Sequence, residues 1–101
     1  MSDMDPVLKK KWVVALRSGK YEQGKEALRN GDKYCCLGVL CEIETGAKPN
    51  KVPFPSNARR ERLGLTSKEC ETLAEFNDGN GPLCRKPWSF KRIATWIEKN
   101  L

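Results

Sequence analysis

The sequence predicts an α+β fold: one compact, helix-dominated domain over residues 1–101, with about four helices and a short β-hairpin. Three observations predict it. Apolar residues recur at helical spacing in several stretches that open on a capping residue or close on glycine. Asn30-Gly31 separates two short runs in the manner of a hairpin turn. Finally, 101 residues with 39% hydrophobic and 32% charged side chains suit a single core under a charged surface.

The first helix is written in DPVLKKKWVVALRSG. Asp5 can cap it, and Pro6 suits the first turn, where its missing N–H costs nothing. Leu8, Trp12, Ala15 and Leu16 share one face, Lys9, Lys10 and Lys11 lie mostly on the other, and Gly19 ends the run. KEALR and DKYCC then read as two antiparallel strands around a type I′ turn at Asn30-Gly31. A competing reading has Asp32 cap a helix that starts at Lys33.

CCLGVLCEIETG reads as a buried helix with Cys36, Leu37, Leu40, Cys41 and Ile43 inward and Glu42 and Glu44 outward, closed by Gly46. Residues 47–62, with three prolines and no periodicity, read as a long surface loop. Thr66 and Glu69 form a capping box for the next helix, which carries Cys70, Leu73 and Ala74 on one face. Residues 79–88 read as a second loop, with Asn77 and Asp78 before it as ordinary helix-stop and turn formers. Ser89 caps the last helix, Trp88 and Ile93 are placed as a hydrophobic staple, and Phe90, Ile93, Ala94, Ile97 and Leu101 face inward.

Five cysteines and no histidine narrow the chemistry. An odd count fits a disulfide framework badly, and the adjacent Cys35 and Cys36 could pair only in a strained ring. The best zinc knuckle, Cys36-x4-Cys41, would point its sulfurs roughly 140° apart on a helix, so no metal site is expected. Without histidine every Cys–His or Ser–His pair is excluded, and a thiolate would lack its usual base. The cysteines are expected to be small core hydrophobes, and neither a catalytic residue nor a cofactor is assigned.

The formal charge is +6, with 9 basic and 7 acidic side chains in residues 1–50 and 10 and 6 in residues 51–101. Such an excess favours nucleic acid or an acidic protein surface without choosing between them. Two basic groups are the candidates for partner contact. Arg59, Arg60 and Arg62 lie in the long loop or at its edge; Arg85, Lys86, Lys91 and Arg92 surround Trp88, an arrangement that also suits stacking on single strands. No apolar run is long enough to span a membrane and the N-terminus shows no secretory signal, so a cytoplasmic location is expected.

ALRSGKYEQGKEALRNGDKYCCLGVLCEI, followed by LGL, LAEFND and SFKRIATWIEKNL, resembles a family of small proteins encoded by tailed bacteriophages and prophages. The shared pattern is L-R-S-G-x-Y-x-Q-G, L-R, D-x-Y-C-C-L-G-V, an N-D and a closing S-F-x-x-I-A-x-x-I-E. Matching positions include Gln23, Gly24, Lys25, Asp32, Tyr34, Cys35, Cys36, Gly38, Asn77, Asp78 and Phe90; residues 47–62 fall outside it, and 79–88 depart from it as an insertion. The resemblance implies a phage or prophage origin and action in a bacterial host cytoplasm; the family has no settled activity, so it carries no catalytic residue over to this chain. By the habit of small phage accessory proteins, it implies binding and modulation or inhibition of a host protein, an antiviral (anti-CRISPR-like) factor included. The motif residues Gln23, Lys25 and Asp32 are candidates either for contact or for organising the hairpin through side-chain-to-backbone hydrogen bonds. The alternatives are nucleic-acid binding through the basic loops and capture of an anionic nucleotide.

Overall fold

A computed structural model describes residues 4–79 and 86–101. The described residues form, in order, α1 (Pro6–Arg17), β1 (Glu22–Gln23), β2 (Arg29–Asn30), β3 (Lys33–Tyr34), α2 (Cys36–Thr45), α3 (Asn57–Leu63), α4 (Ser67–Asp78) and α5 (Phe90–Asn100). The fold is α+β and dominated by helices. α2 is the central element: Cys36, Leu37, Gly38, Val39, Leu40 and Cys41 are all buried. α1 and α4 pack against it, and α5 packs against both of them.

The helix ends follow the capping chemistry of the sequence. Asp5 Oδ2 accepts from the Leu8 N–H at 3.2 Å, Thr66 and Glu69 close a full capping box, and Ser89 Oγ accepts from the Arg92 N–H. Phe90, Ile93, Ala94 and Ile97 are buried as the α5 periodicity requires. Trp12 crosses from α1 into the core, where its Nε1–H donates to the Cys36 carbonyl at 2.9 Å.

Two expectations are corrected. The loop over 47–62 ends at Ser56, and ARRER is helical. Ser56 Oγ accepts from the Arg59 N–H at 3.2 Å, and Gly64, at φ 77°, closes the far end. A helix of 7 residues with only Leu63 buried leaves no periodicity to read, and the prolines before it look like loop. The hairpin forms, but its turn sits one residue later. Arg29 pairs with Tyr34 and Asn30 with Lys33, so Gly31-Asp32 are the central residues. Only Gly31 has positive φ, the type II′ pattern rather than type I′. A third strand, β1, runs parallel to β3 and gives the sheet order β1-β3-β2. At two residues it is too short for alternation to show.

Candidate interaction surface

Most of the polar residues singled out in the sequence hold the fold together. Asn77 is fully buried at the end of α4. Its Oδ1 accepts from Gln23 Nε2 at 3.1 Å and from the Cys36 N–H at 3.2 Å. Its Nδ2 donates to the Gly24 carbonyl at 2.8 Å and to Asp78 Oδ1 at 3.0 Å. Gln23 Nε2 also reaches the Trp88 carbonyl at 2.7 Å, and Asp78 Oδ1 accepts from the Glu26 N–H at 3.1 Å. Glu26 has φ 66°, a left-handed conformation that costs a non-glycine residue about 1 kcal/mol or more. Asn77 and Asp78 are therefore not simple turn formers. With Gln23 they tie β1, the 24–26 turn, α2 and the start of α5 to the end of α4. Lys25 and Asp32 remain exposed.

A second polar group anchors the sheet to α2. Glu42, expected to face outward, is half-buried and accepts from both the Tyr21 hydroxyl (2.6 Å) and the Tyr34 hydroxyl (2.7 Å). The tyrosine rings meet edge to face with centroids 5.0 Å apart. The Tyr21 hydroxyl, opposed by desolvation and helped by Tyr34, holds the Glu42 carboxyl below its ordinary value of 4.5. Burial, and then the hydrogen bond to Glu42, push both phenols up to about 12. The carboxylate's stabilisation is whole above pH 4.5 and is lost as pH falls through its lower folded value. That of the phenols is whole below pH 10 and is lost as pH rises through about 12. Glu42→Gln should cost about 1–3 kcal/mol at neutral pH and flatten the acid limb of stability, as read by urea unfolding across pH.

The cysteines described are core residues. Cys35, Cys36, Cys41 and Cys70 are buried and unpaired with one another. Burial raises all four thiols, Cys35 to about 12 and Cys70 to about 11. Cys36 Sγ donates to the Leu73 carbonyl, and the Arg59 guanidinium acts on the Cys41 thiol against the effect of burial. Among the described residues no three His, Cys, Asp or Glu side chains come together as a metal site would need. Cys84 lies outside the described residues.

The arginines of α3 take different roles. Arg60 turns inward, and its Nη1 donates to the Leu65 carbonyl at 2.9 Å across the α3–α4 link. Arg59 and Arg62 line a cleft of about 490 Å³ whose apolar wall is Leu28, Val52, Phe54 and Pro55. Arg62 also meets Glu44 at 3.4 Å, an exposed pairing of little strength. Phe54 is 43% exposed and Val52 42%. Phe54 further lines two adjoining depressions, one with Arg60, Cys70 and Glu71 and one with Glu26, Cys35 and Asp78. An aromatic ridge thus stands among three hollows, with arginines on one side. Sequence reasoning missed Phe54, although an aromatic side chain between Pro53 and Pro55 in a polar loop was the available signal.

The second basic group is less open to a ligand. Trp88 stacks on Phe76 with centroids 3.9 Å apart and planes 5° from parallel, and Arg92 covers its ring at 4.1 Å. Both ring faces are occupied, so a nucleobase would have to displace Arg92. Lys86 and Lys91 are exposed, and Arg85 lies outside the described residues.

Residues 4–53 match the family model described as Domain of unknown function (DUF8296). The match takes in α1, the sheet and α2, and it stops just before Phe54. No curated protein and no solved structure matches the chain.

Proposed function

We propose that this chain is a non-enzymatic accessory protein of phage type that binds a host protein through the Phe54 face and thereby modulates or inhibits it. An antiviral defence factor is the target class, and the bacterial cytoplasm the place of action. One observation carries the reading: a half-exposed aromatic ridge set among three hollows with Arg59 and Arg62 beside it. Aromatic and arginine side chains dominate the energetics of protein interfaces, each seated in or beside a pocket. The arginine charge, met only by the weak Arg62–Glu44 pairing, favours an acidic surface on the partner. The phage origin and the target class rest on the sequence resemblance. The burial of Cys35, Cys36, Cys41 and Cys70 supports action by binding, because each thiol is held protonated.

Nucleic-acid binding is the second reading, favoured by Arg92, Lys99, Trp88 and Trp96 around one shallow cleft. A pull-down from nuclease-treated bacterial lysate separates the two. The expected result is one protein retained in stoichiometric amount after a salt wash. Phe54→Ala should weaken it by about 30-fold, and Arg59→Glu with Arg62→Glu should abolish it. Retention that needs intact nucleic acid, or that ignores all three substitutions, overturns the reading.

A further inference from the structure

We infer that a second surface, the groove between α1, the 18–21 turn and α2, is a docking site for an acidic amphipathic segment of a protein partner. The groove holds about 410 Å³ and shares no lining residue with the Phe54 cleft. Its floor is Val14, Ala15, Tyr21 and Ile43; Val14 is 59% exposed, an uncovered β-branched side chain in a concave place. Its rim is Lys10, Lys11 and Lys20, with no acidic side chain among the lining residues. The other cations of α1 are engaged: Lys9 Nζ donates to the Glu98 carbonyl, and Arg17 pairs with Glu98 at 2.7 Å. The three rim ammonium groups have no such partner among the described residues.

Spacing sharpens the partner's chemistry. Val7, Lys10, Lys11 and Val14 fall at i, i+3, i+4 and i+7, so one solvent-facing stripe of α1 alternates apolar and cationic groups. The complement is a short helix that sets one apolar side chain over Val14 and Ile43 and carboxylates one turn apart against the lysines. Concavity favours such a segment over a bilayer surface, which meets protruding apolar groups. Tyr21 adds to this, since its hydroxyl is tied down to Glu42 and its ring forms floor rather than anchor.

The test is an amide chemical-shift titration of the whole chain with a synthetic helical peptide carrying Glu on one face and Leu on the other. A scrambled peptide of equal composition and phosphatidylserine vesicles are the comparison probes. Shifts should concentrate at residues 10–21 and 43. Lys11→Glu with Lys20→Glu should weaken binding about tenfold or more, Val14→Ser should weaken it several-fold, and the scrambled peptide should bind less well than the ordered one. All three positions are exposed, so the variants keep the fold, as their spectra will report. No shifts in the groove at millimolar peptide would overturn the inference. Equal binding of the scrambled peptide, or a preference for the vesicles, would overturn it too, the first as charge alone and the second as a membrane site.

Discussion

Asn77→Ala is expected to destabilise the protein by about 3–5 kcal/mol, a large share of the roughly 5–15 kcal/mol that holds a domain together. The side chain is fully buried and makes four hydrogen bonds, two of them to backbone groups, the Cys36 N–H and the Gly24 carbonyl. Truncation leaves those groups without their partner where water does not reach easily, each at about 1–3 kcal/mol. It also opens a small cavity. Asn77→Asp is the sharper probe, because it keeps the volume and the acceptor. It cannot donate to the Gly24 carbonyl, and it sets a second carboxylate beside Asp78. Its loss should be similar at neutral pH and smaller in mild acid, where the new carboxyl is protonated and donates again. Urea unfolding reads both variants; a cost below about 1 kcal/mol for Asn77→Ala would mean the network is not what fastens α4 to β1 and α2.

Local chemistry in the sequence located most of the helices. Asp5, Thr66, Ser89 and Gly46 act within three or four positions of themselves, and each stands where it was expected. What the sequence hid was long-range or very short. Three of the four partners of Asn77 lie 41 or more residues away, so a buried hub reads as an ordinary helix-stop residue. Glu42 looks like an outward charge until Tyr21 and Tyr34 fold over it. β1 and α3 are too brief for any period to emerge, and the hairpin turn slipped by one because Gly31 serves either register. The Phe54 ridge was missed for a related reason: exposure of an apolar side chain is a property of the folded surface, not of its neighbours in sequence.

The polar and core residues singled out in the sequence divide accordingly: Lys25 and Asp32 are exposed, whereas Gln23, Tyr34, Cys35, Cys36 and Asn77 are all engaged in internal bonds or packing. Phe54, Arg59 and Arg62 lie in the stretch outside the phage resemblance, and the family-model match also ends before Phe54. The surface proposed to meet a partner is carried by residues outside the 4–53 match, so a protein that shares only that stretch need not share the target.

Gly38→Ala is the second large effect, and its sign separates two physical accounts. On helix propensity alone alanine should stabilise α2 by about 1 kcal/mol. In the fold, a Cβ at Gly38 would overlap the Leu28 carbonyl, which is backbone and cannot rotate away. That carbonyl accepts from the Cys35 N–H at 3.2 Å, while the Leu28 N–H donates to the Val52 carbonyl at 2.7 Å. Relief therefore requires the 27–29 segment to leave α2, breaking both bonds and uncovering Leu28, now only 1% exposed. The expected cost is about 3 kcal/mol or more. Leu28 and Val52 also line the Phe54 cleft, so whatever variant remains folded should lose partner binding beyond its loss of stability. Thermal unfolding decides between the accounts. A raised melting temperature would show that the approach of Leu28 to α2 is looser than this glycine implies, whereas a fall of many degrees would identify Gly38 as the position that lets the 27–29 segment lie against the central helix and so builds the cleft.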